Sequence, residues 1–345
     1  MDKVRWGVIG AGGIADRRTM PGICLSDNAE LVAFVETDPD RRSALTRKYG
    51  VPGYAEMEPL LENRRIECVY VATPLQFHRT QAEAVLRAGK HLLLEKPLGV
   101  NAKQAMEIAD LADQSGLKAA AGFMMRFHAA HVRMREMVQS GELGRIVAVR
   151  AQFGGWSTET GKKWRHFRDL GGGGALMDMG IHCIDLIGSI LGQRVTGVSA
   201  LNATLAHSFE VEDSSCVLLR YESGLIGIVD SYFCMPDDVA RIELCGTRGR
   251  IVADNTIGQV ETGSIHMYPA SGLSDSEKAE LIRRVSGISL PQDGRYTCYT
   301  SEVDAMCRAI HEDAPVAVPL REAAEVQRIV EAAYASGEEG RYIDL

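Results

Sequence analysis

The chain has 345 residues, 38 Lys+Arg against 46 Asp+Glu for a formal net charge of −8, and 46% hydrophobic residues. At about 100–200 residues per domain, that length predicts two domains, each able to bury its own core. The acidic balance argues against nucleic acid as a partner, because phosphate binding needs concentrated Lys and Arg. No apolar run approaches the roughly 20 residues of a membrane-spanning helix, so no membrane partner is expected. The opening residues 1–9 lack a long apolar export signal, so a cytoplasmic location is expected. The eight cysteines, Cys24, Cys68, Cys183, Cys216, Cys234, Cys245, Cys298 and Cys307, form no C-x-x-C pair. They read as buried, reduced thiols rather than as a zinc ribbon or a redox dithiol.

Residues 4–9 read as a strand that runs into a glycine cluster opening a helix. Residues 31–35 form a second strand, 38–49 a helix, 68–72 a third strand, and 80–88 a helix stopped by Gly89. Then come a strand at 91–94, a helix at 103–115 and a short strand at 118–121. Continuous apolar strands separated by helices predict a parallel sheet covered on both faces. The expected first domain is therefore α/β, a doubly wound parallel sheet over residues 1–122.

The rhythm changes beyond residue 122. A helix is predicted at 129–139 and a half-buried strand at 146–153. Successive strands follow at 195–205, 215–221, 225–233, 240–245 and 249–253, punctuated by Glu222-Ser223-Gly224 and Gly246-Thr247-Arg248-Gly249. Strands joined by tight turns pair antiparallel. Residues 123–345 are thus expected to form an α+β domain on a mainly antiparallel open sheet, closed by helices at 301–311 and 321–334. An open sheet needs its outer face covered, so a homodimer or homotetramer is expected.

Gly10-Ala11-Gly12-Gly13-Ile14-Ala15 fits G-x-G-x-x-A between the first strand and its helix. The first glycine permits the turn and the second lets the backbone approach a pyrophosphate. The small last residue packs the helix on the strand, whose amide end receives the phosphates. Glu36, at the end of the second strand, is placed to take the ribose hydroxyls. The reading is a Rossmann dinucleotide site with NAD as cofactor; NADP stays possible because Arg41 and Arg42 lie close to Glu36. Thr73, Pro74 and His78 follow the third strand, with His78 expected along the cofactor cleft or capping its helix.

Glu95-Lys96-Pro97 ends the fourth strand, where ligands bind in open α/β sheets. Lys96 there could reach both nicotinamide and substrate. The run Gly171-Gly172-Gly173-Gly174-Ala175 leads into a second constellation. If helical from Ala175, it sets Asp178, His182 and Asp185 on one stripe. Imidazole suits hydroxyl proton transfer near neutral pH, and Asp178 could orient it. Asp178 and His182 also have a two-ligand metal spacing, but no third ligand is evident and no metal is assigned.

Together with Gly144-Arg145-Ile146, Trp164-Arg165 and Gly246-Thr247-Arg248-Gly249 in the same order, these motifs resemble the glucose–fructose oxidoreductase/inositol dehydrogenase/rhizopine catabolism (GFO/IDH/MocA) family nearly end to end. The resemblance implies an NAD(P)-dependent oxidoreductase acting on sugars, polyols or close derivatives, with Lys96, Asp178 and His182 at the reaction centre. Arg126, Trp156, Trp164, Arg165 and His166 are candidate substrate residues: aromatic faces suit the C–H side of a sugar, and arginine suits hydroxyls or a carboxylate. Residues 153–169 and 263–291 follow no single member, so the sugar itself is not specified. Three other readings stay open. One is a glycoside hydrolase using NAD with no net redox change, another a dinucleotide or sugar sensor. The third, a nucleotide-sugar dehydrogenase, lacks the basic cluster it would need in the second domain.

Overall fold

The computed structural model describes residues 2–158, 166–288 and 298–345. Contacts divide the chain into two compact units, Met1–Met124 with Tyr296–Gln327, and Met125–Arg295 with Arg328–Leu345.

In the first unit, β1 (Val4–Ile9) passes through the glycine loop into a helical run that includes a π-helical turn at Ala15–Thr19 and ends as α1 (Met20–Leu25). β2 (Ala29–Val35), α2 (Pro39–Tyr49), β3 (Gly53–Tyr54) and α3 (Glu58–Glu62) follow. Then come β4 (Cys68–Val71), α4 (His78–Arg87), β5 (His91–Leu94), α5 (Ala102–Ser115) and β6 (Ala119–Ala121). The strands form one sheet in the order β3-β2-β1-β4-β5-β6, and every pairing is parallel. Asp38 caps α2 by accepting from the Arg41 N–H, and Gly50 ends it in the left-handed conformation, the usual start and stop chemistry of a helix. The doubly wound sheet is as expected. Short β3 and α3 escape a periodicity reading because neither spans two periods of its pattern.

The second unit begins with α6 (Ala129–Gln139) and β7 (Ile146–Trp156). α7 (Arg168–Gly171), a π-helical turn at Leu176–Gly180 and α8 (Ile181–Leu191) lead to β8 (Val195–Ala203), β9 (Ser214–Tyr221) and β10 (Ile226–Tyr232). β11 (Cys234–Gly246), β12 (Gly249–Asp254), β13 (Ser264–Pro269) and α9 (Asp275–Val285) complete it up to the last helices. The eight-stranded sheet has the order β13-β12-β11-β7-β10-β9-β8-β14, where β14 is Ile343–Asp344. It is mainly antiparallel as expected, with one exception: β7 pairs parallel with β10. β7 is followed by helices rather than a tight turn, which frees it to enter the sheet in the middle. One face of the sheet carries α8; the side chains of Val147, Leu201, Leu218 and Ile226 are exposed.

α10 (Cys298–His311) and α11 (Leu320–Glu339) close the chain. Val303, Met306 and Cys307 of α10 share the buried apolar cluster of Val8, Phe34 and Tyr70, which draws that segment into the first unit. The cysteines are all free, but only Cys68, Cys183, Cys298 and Cys307 are buried; Cys24 and Cys216 are exposed.

Candidate active site

The glycine loop leaves β1 with Gly10 at φ +85°, where a Cβ would stand 2.9 Å from the Ala72 backbone; only glycine meets both conditions. Gly10 and Ala11 both donate to the Val35 carbonyl at 3.1 and 3.0 Å, tying the loop to the end of β2. The Glu36 carboxylate lies against this loop: a Cβ on Gly12 would be 3.1 Å from its Oε2 and from Arg41 Nη1. Glu36 accepts from the Asp38 N–H at 3.0 Å and from Arg41 at 3.3 Å, and is itself 7% exposed. A bare-backbone loop at a helix N-terminus, with a fixed carboxylate beside it, fits a pyrophosphate followed by a ribose diol.

At the end of β4 the Thr73 hydroxyl donates to Gln81 at 2.5 Å. His78 is buried behind Thr73. It opens α4, is 2% exposed, and its ring lies between two carbonyls, Nδ1 at 2.9 Å from Pro97 and Nε2 at 3.0 Å from Thr73. Burial pushes its pKa down against the pull of these carbonyls. His78 thus ties the loop after β4 to the Lys96-Pro97 turn, whose peptide bond is cis. In that turn Glu95 faces inward. It accepts from the buried Tyr70 hydroxyl at 2.5 Å and from the Lys96 N–H at 3.1 Å. Lys96 itself is half-buried.

In the second unit, Asp178 lies in the π-helical turn and His182 in the first turn of α8. A π-turn therefore precedes the α-helix that carries His182 and Asp185; such turns recur at functional sites. Asp185 is 1% exposed and turned to Arg126, whose Nε and second terminal nitrogen contact both of its oxygens at 2.6–3.1 Å. Arg126 therefore has Nε and one terminal nitrogen of its guanidinium on a buried partner.

Trp156, at the end of β7, is 52% exposed and 4.8 Å from the His207 ring. His207 stacks on Phe209 at 4.4 Å and Phe209 on His166 at 3.7 Å. Trp156 and His166 thus belong to one row of rings, whose inner members use their faces on each other and leave Trp156 as the accessible aromatic face. The row is held by Asp213, which accepts the Leu205, Ala206 and His207 N–H groups at 2.8–2.9 Å. Burial works to raise the Asp213 pKa, and the amide donors outweigh it and lower it. His207, Phe209, Glu212 and Asp213 were missed from sequence, where only the Glu212-Asp213 pair before a strand signalled anything. Trp164 and Arg165 lie outside the described residues.

Residues 4–123 match the oxidoreductase family with an NAD-binding Rossmann fold, and 131–252 match the GFO/IDH/MocA C-terminal domain. Over 272 residues the chain is 30% identical to 1,5-anhydro-D-fructose reductase of Ensifer adhaerens, covering 78% of this chain and 81% of that one. It is 28% identical to D-xylose 1-dehydrogenase (NADP(+)) 2 of Haloferax volcanii over 99% of both chains. The aldose-aldose oxidoreductase of Caulobacter crescentus, solved with glycerol, superposes with a TM-score of 0.86 at 24% identity, covering 99% of this chain and 100% of that one. The chain belongs to the GFO/IDH/MocA family of oxidoreductases, with an NAD-binding Rossmann domain. Among the described residues, no helix is long and apolar enough to cross a membrane.

Proposed function

We propose that this oxidoreductase transfers a hydride between nicotinamide and a hydroxyl-bearing carbon of a sugar, polyol or sugar derivative. The carrying observation is the Gly10–Ile14 loop with the Glu36 carboxylate fixed against Gly12, in a chain whose relatives act on anhydrofructose and xylose. When bound, the nicotinamide ring accepts or returns the hydride. In the oxidative direction His182 takes the hydroxyl proton. Lys96 hydrogen-bonds the same oxygen and stabilises its developing charge, and Asp178 orients substrate and imidazole. Gly10, Ala11, Gly12, Gly13, Ile14, Glu36, Thr73, Pro74 and Glu95 line the dinucleotide site, with His78 acting behind Thr73 and Pro97. Trp156 supplies the apolar face for the sugar's C–H side, with His166 behind it. NAD is the favoured cofactor because Glu36 opposes a 2′-phosphate. The enzyme acts in the cytoplasm, and the exposed apolar side chains of the β-sheet support a homodimer or homotetramer.

The test follows nicotinamide absorbance with aldoses, polyols, inositols and anhydro-sugars, with NAD and NADP, in both directions. Turnover in proportion to nucleotide consumed supports the reading. Tight dinucleotide binding with glycoside cleavage and no net nucleotide consumption refutes it.

A further inference from the structure

The helical run carrying Asp178 and His182 begins without a cap of its own. Gly171–Ala175 contains no Ser, Thr, Asp or Asn, and Ala175 makes no side-chain cap bond. Its own ladder starts only at the Asp178 N–H, which donates to the Gly174 carbonyl at 3.0 Å. The amides before it need acceptors from elsewhere.

Glu212, at the entry to β9, supplies them. Its carboxylate accepts from the Gly174 N–H at 3.0 Å and the Leu176 N–H at 2.9 Å, and its own carbonyl accepts from the Ala175 N–H at 3.1 Å. The Tyr334 hydroxyl of α11 donates to the same carboxylate at 2.8 Å, and its oxygen faces the Met177 N–H. The glycine run is what lets them approach: a Cβ on Gly174 would collide with the Glu212 carbonyl, and one on Gly173 with the Tyr334 hydroxyl. The carboxylate also places negative charge at the positive end of the helix.

We propose that Glu212 is the positioning residue of the reaction centre: by closing the first turn of this helix, with Tyr334 bracing it, it fixes where Asp178 and His182 stand. This rests on the reading of those two side chains as the reacting groups. A fixed point matters there because a misplacement of about 1 Å costs on the order of a hundredfold in rate.

Hydrogen exchange across residues 174–182 and steady-state kinetics on the full chain test it in the wild type, Glu212→Gln, Glu212→Asp and Tyr334→Phe. Gln keeps one acceptor but turns its NH2 toward an amide donor. Glu212→Gln is expected to speed exchange over 176–182 at least tenfold, with that of β1–β6 unchanged. Its kcat should fall roughly 10–100-fold while KM for the dinucleotide stays within about twofold. Glu212→Asp should recover part of the loss, and Tyr334→Phe, which removes only the brace, should fall between it and the wild type. Should Glu212→Gln not fold, Tyr334→Phe carries the test with the same signs. Unchanged exchange over 176–182, or a kcat per folded molecule within about twofold of wild type, overturns the proposal. Accelerated exchange in a chain whose wild type turns over no sugar upholds the positioning role of Glu212 and overturns only the assigned reaction.

Discussion

Arg126 and Asp185, 59 residues apart, form a buried ion pair whose shortest contact is 2.6 Å, with both side chains nearly sealed from solvent. Removing one partner of such a pair leaves an uncompensated buried charge, at a cost of about 3–5 kcal/mol. Arg126→Ala should therefore lower the unfolding free energy extrapolated from urea titration by that amount. The double variant Arg126→Met, Asp185→Leu should recover most of it, because apolar residues of similar volume need no partner. A stable Arg126→Ala enzyme with a raised sugar KM would place Arg126 at the substrate.

Glu36 decides between the two dinucleotides. Its carboxylate holds Arg41 at 3.3 Å beside Gly12, so Glu36→Ala removes a ribose acceptor and frees a guanidinium at once. A hydrogen bond to a charged group contributes about 1.5–3 kcal/mol, so kcat/KM for NAD should fall by roughly tenfold or more while that for NADP rises. An unchanged NAD to NADP ratio would remove Glu36 from the ribose.

How much of this was legible follows from where the information lies in the chain. The glycine loop, Glu36 and Glu95-Lys96-Pro97 are local patterns at strand ends, and they stand where the pattern put them. Asp178 and His182 were legible as a spacing, but the π-turn between them was not, because its apolar residues satisfy the α-helical period equally well. The cap on that turn comes from Glu212, 38 residues away, and its brace from Tyr334, 122 residues beyond Glu212. A helix start with four glycines and no capping residue was the one hint that a distant side chain was needed. The same holds for the parallel pairing of β7 with β10, which no turn announces.

His128, which caps α6, and His131 within it set an acid limit on stability. Burial lowers their pKa values to about 4 and about 3, with His128 adding to the shift of His131. Both are bonded as neutral rings: His128 accepts the Ala130 N–H at 3.1 Å and lies 3.1 Å from the Thr262 carbonyl, while His131 contacts Met125 O at 2.8 Å and Thr256 Oγ1 at 2.9 Å. The unfolded chain takes up protons below about pH 6.5 and the folded chain does not, so their contribution is complete above that pH. It is lost as pH falls toward 4. Each should cost about 2 kcal/mol of stability at about pH 5 relative to neutral pH. Urea titrations of wild type and His131→Asn at the two pH values check this; an equal pH dependence in both would remove His131 from the effect.

Trp156 separates binding from folding. Half exposed at the end of β7, it should tolerate Trp156→Ala with a stability change within about 0.5 kcal/mol. Losing a stacking face worth about 0.5–1.5 kcal/mol should raise the sugar KM roughly three- to tenfold. An unchanged KM would show that the substrate does not use this ring.

The most direct measurement is isotopic. A substrate sugar carrying deuterium at the carbon to be oxidised is turned over with NAD, and the reduced nucleotide is weighed by mass spectrometry. Direct hydride transfer with His182 as base predicts one deuterium per reduced nucleotide in the wild type, with the rate falling by about 10²–10⁴-fold in His182→Asn, which lacks the proton acceptor. Reduced nucleotide without deuterium, or a His182→Asn enzyme as fast as wild type, would contradict it.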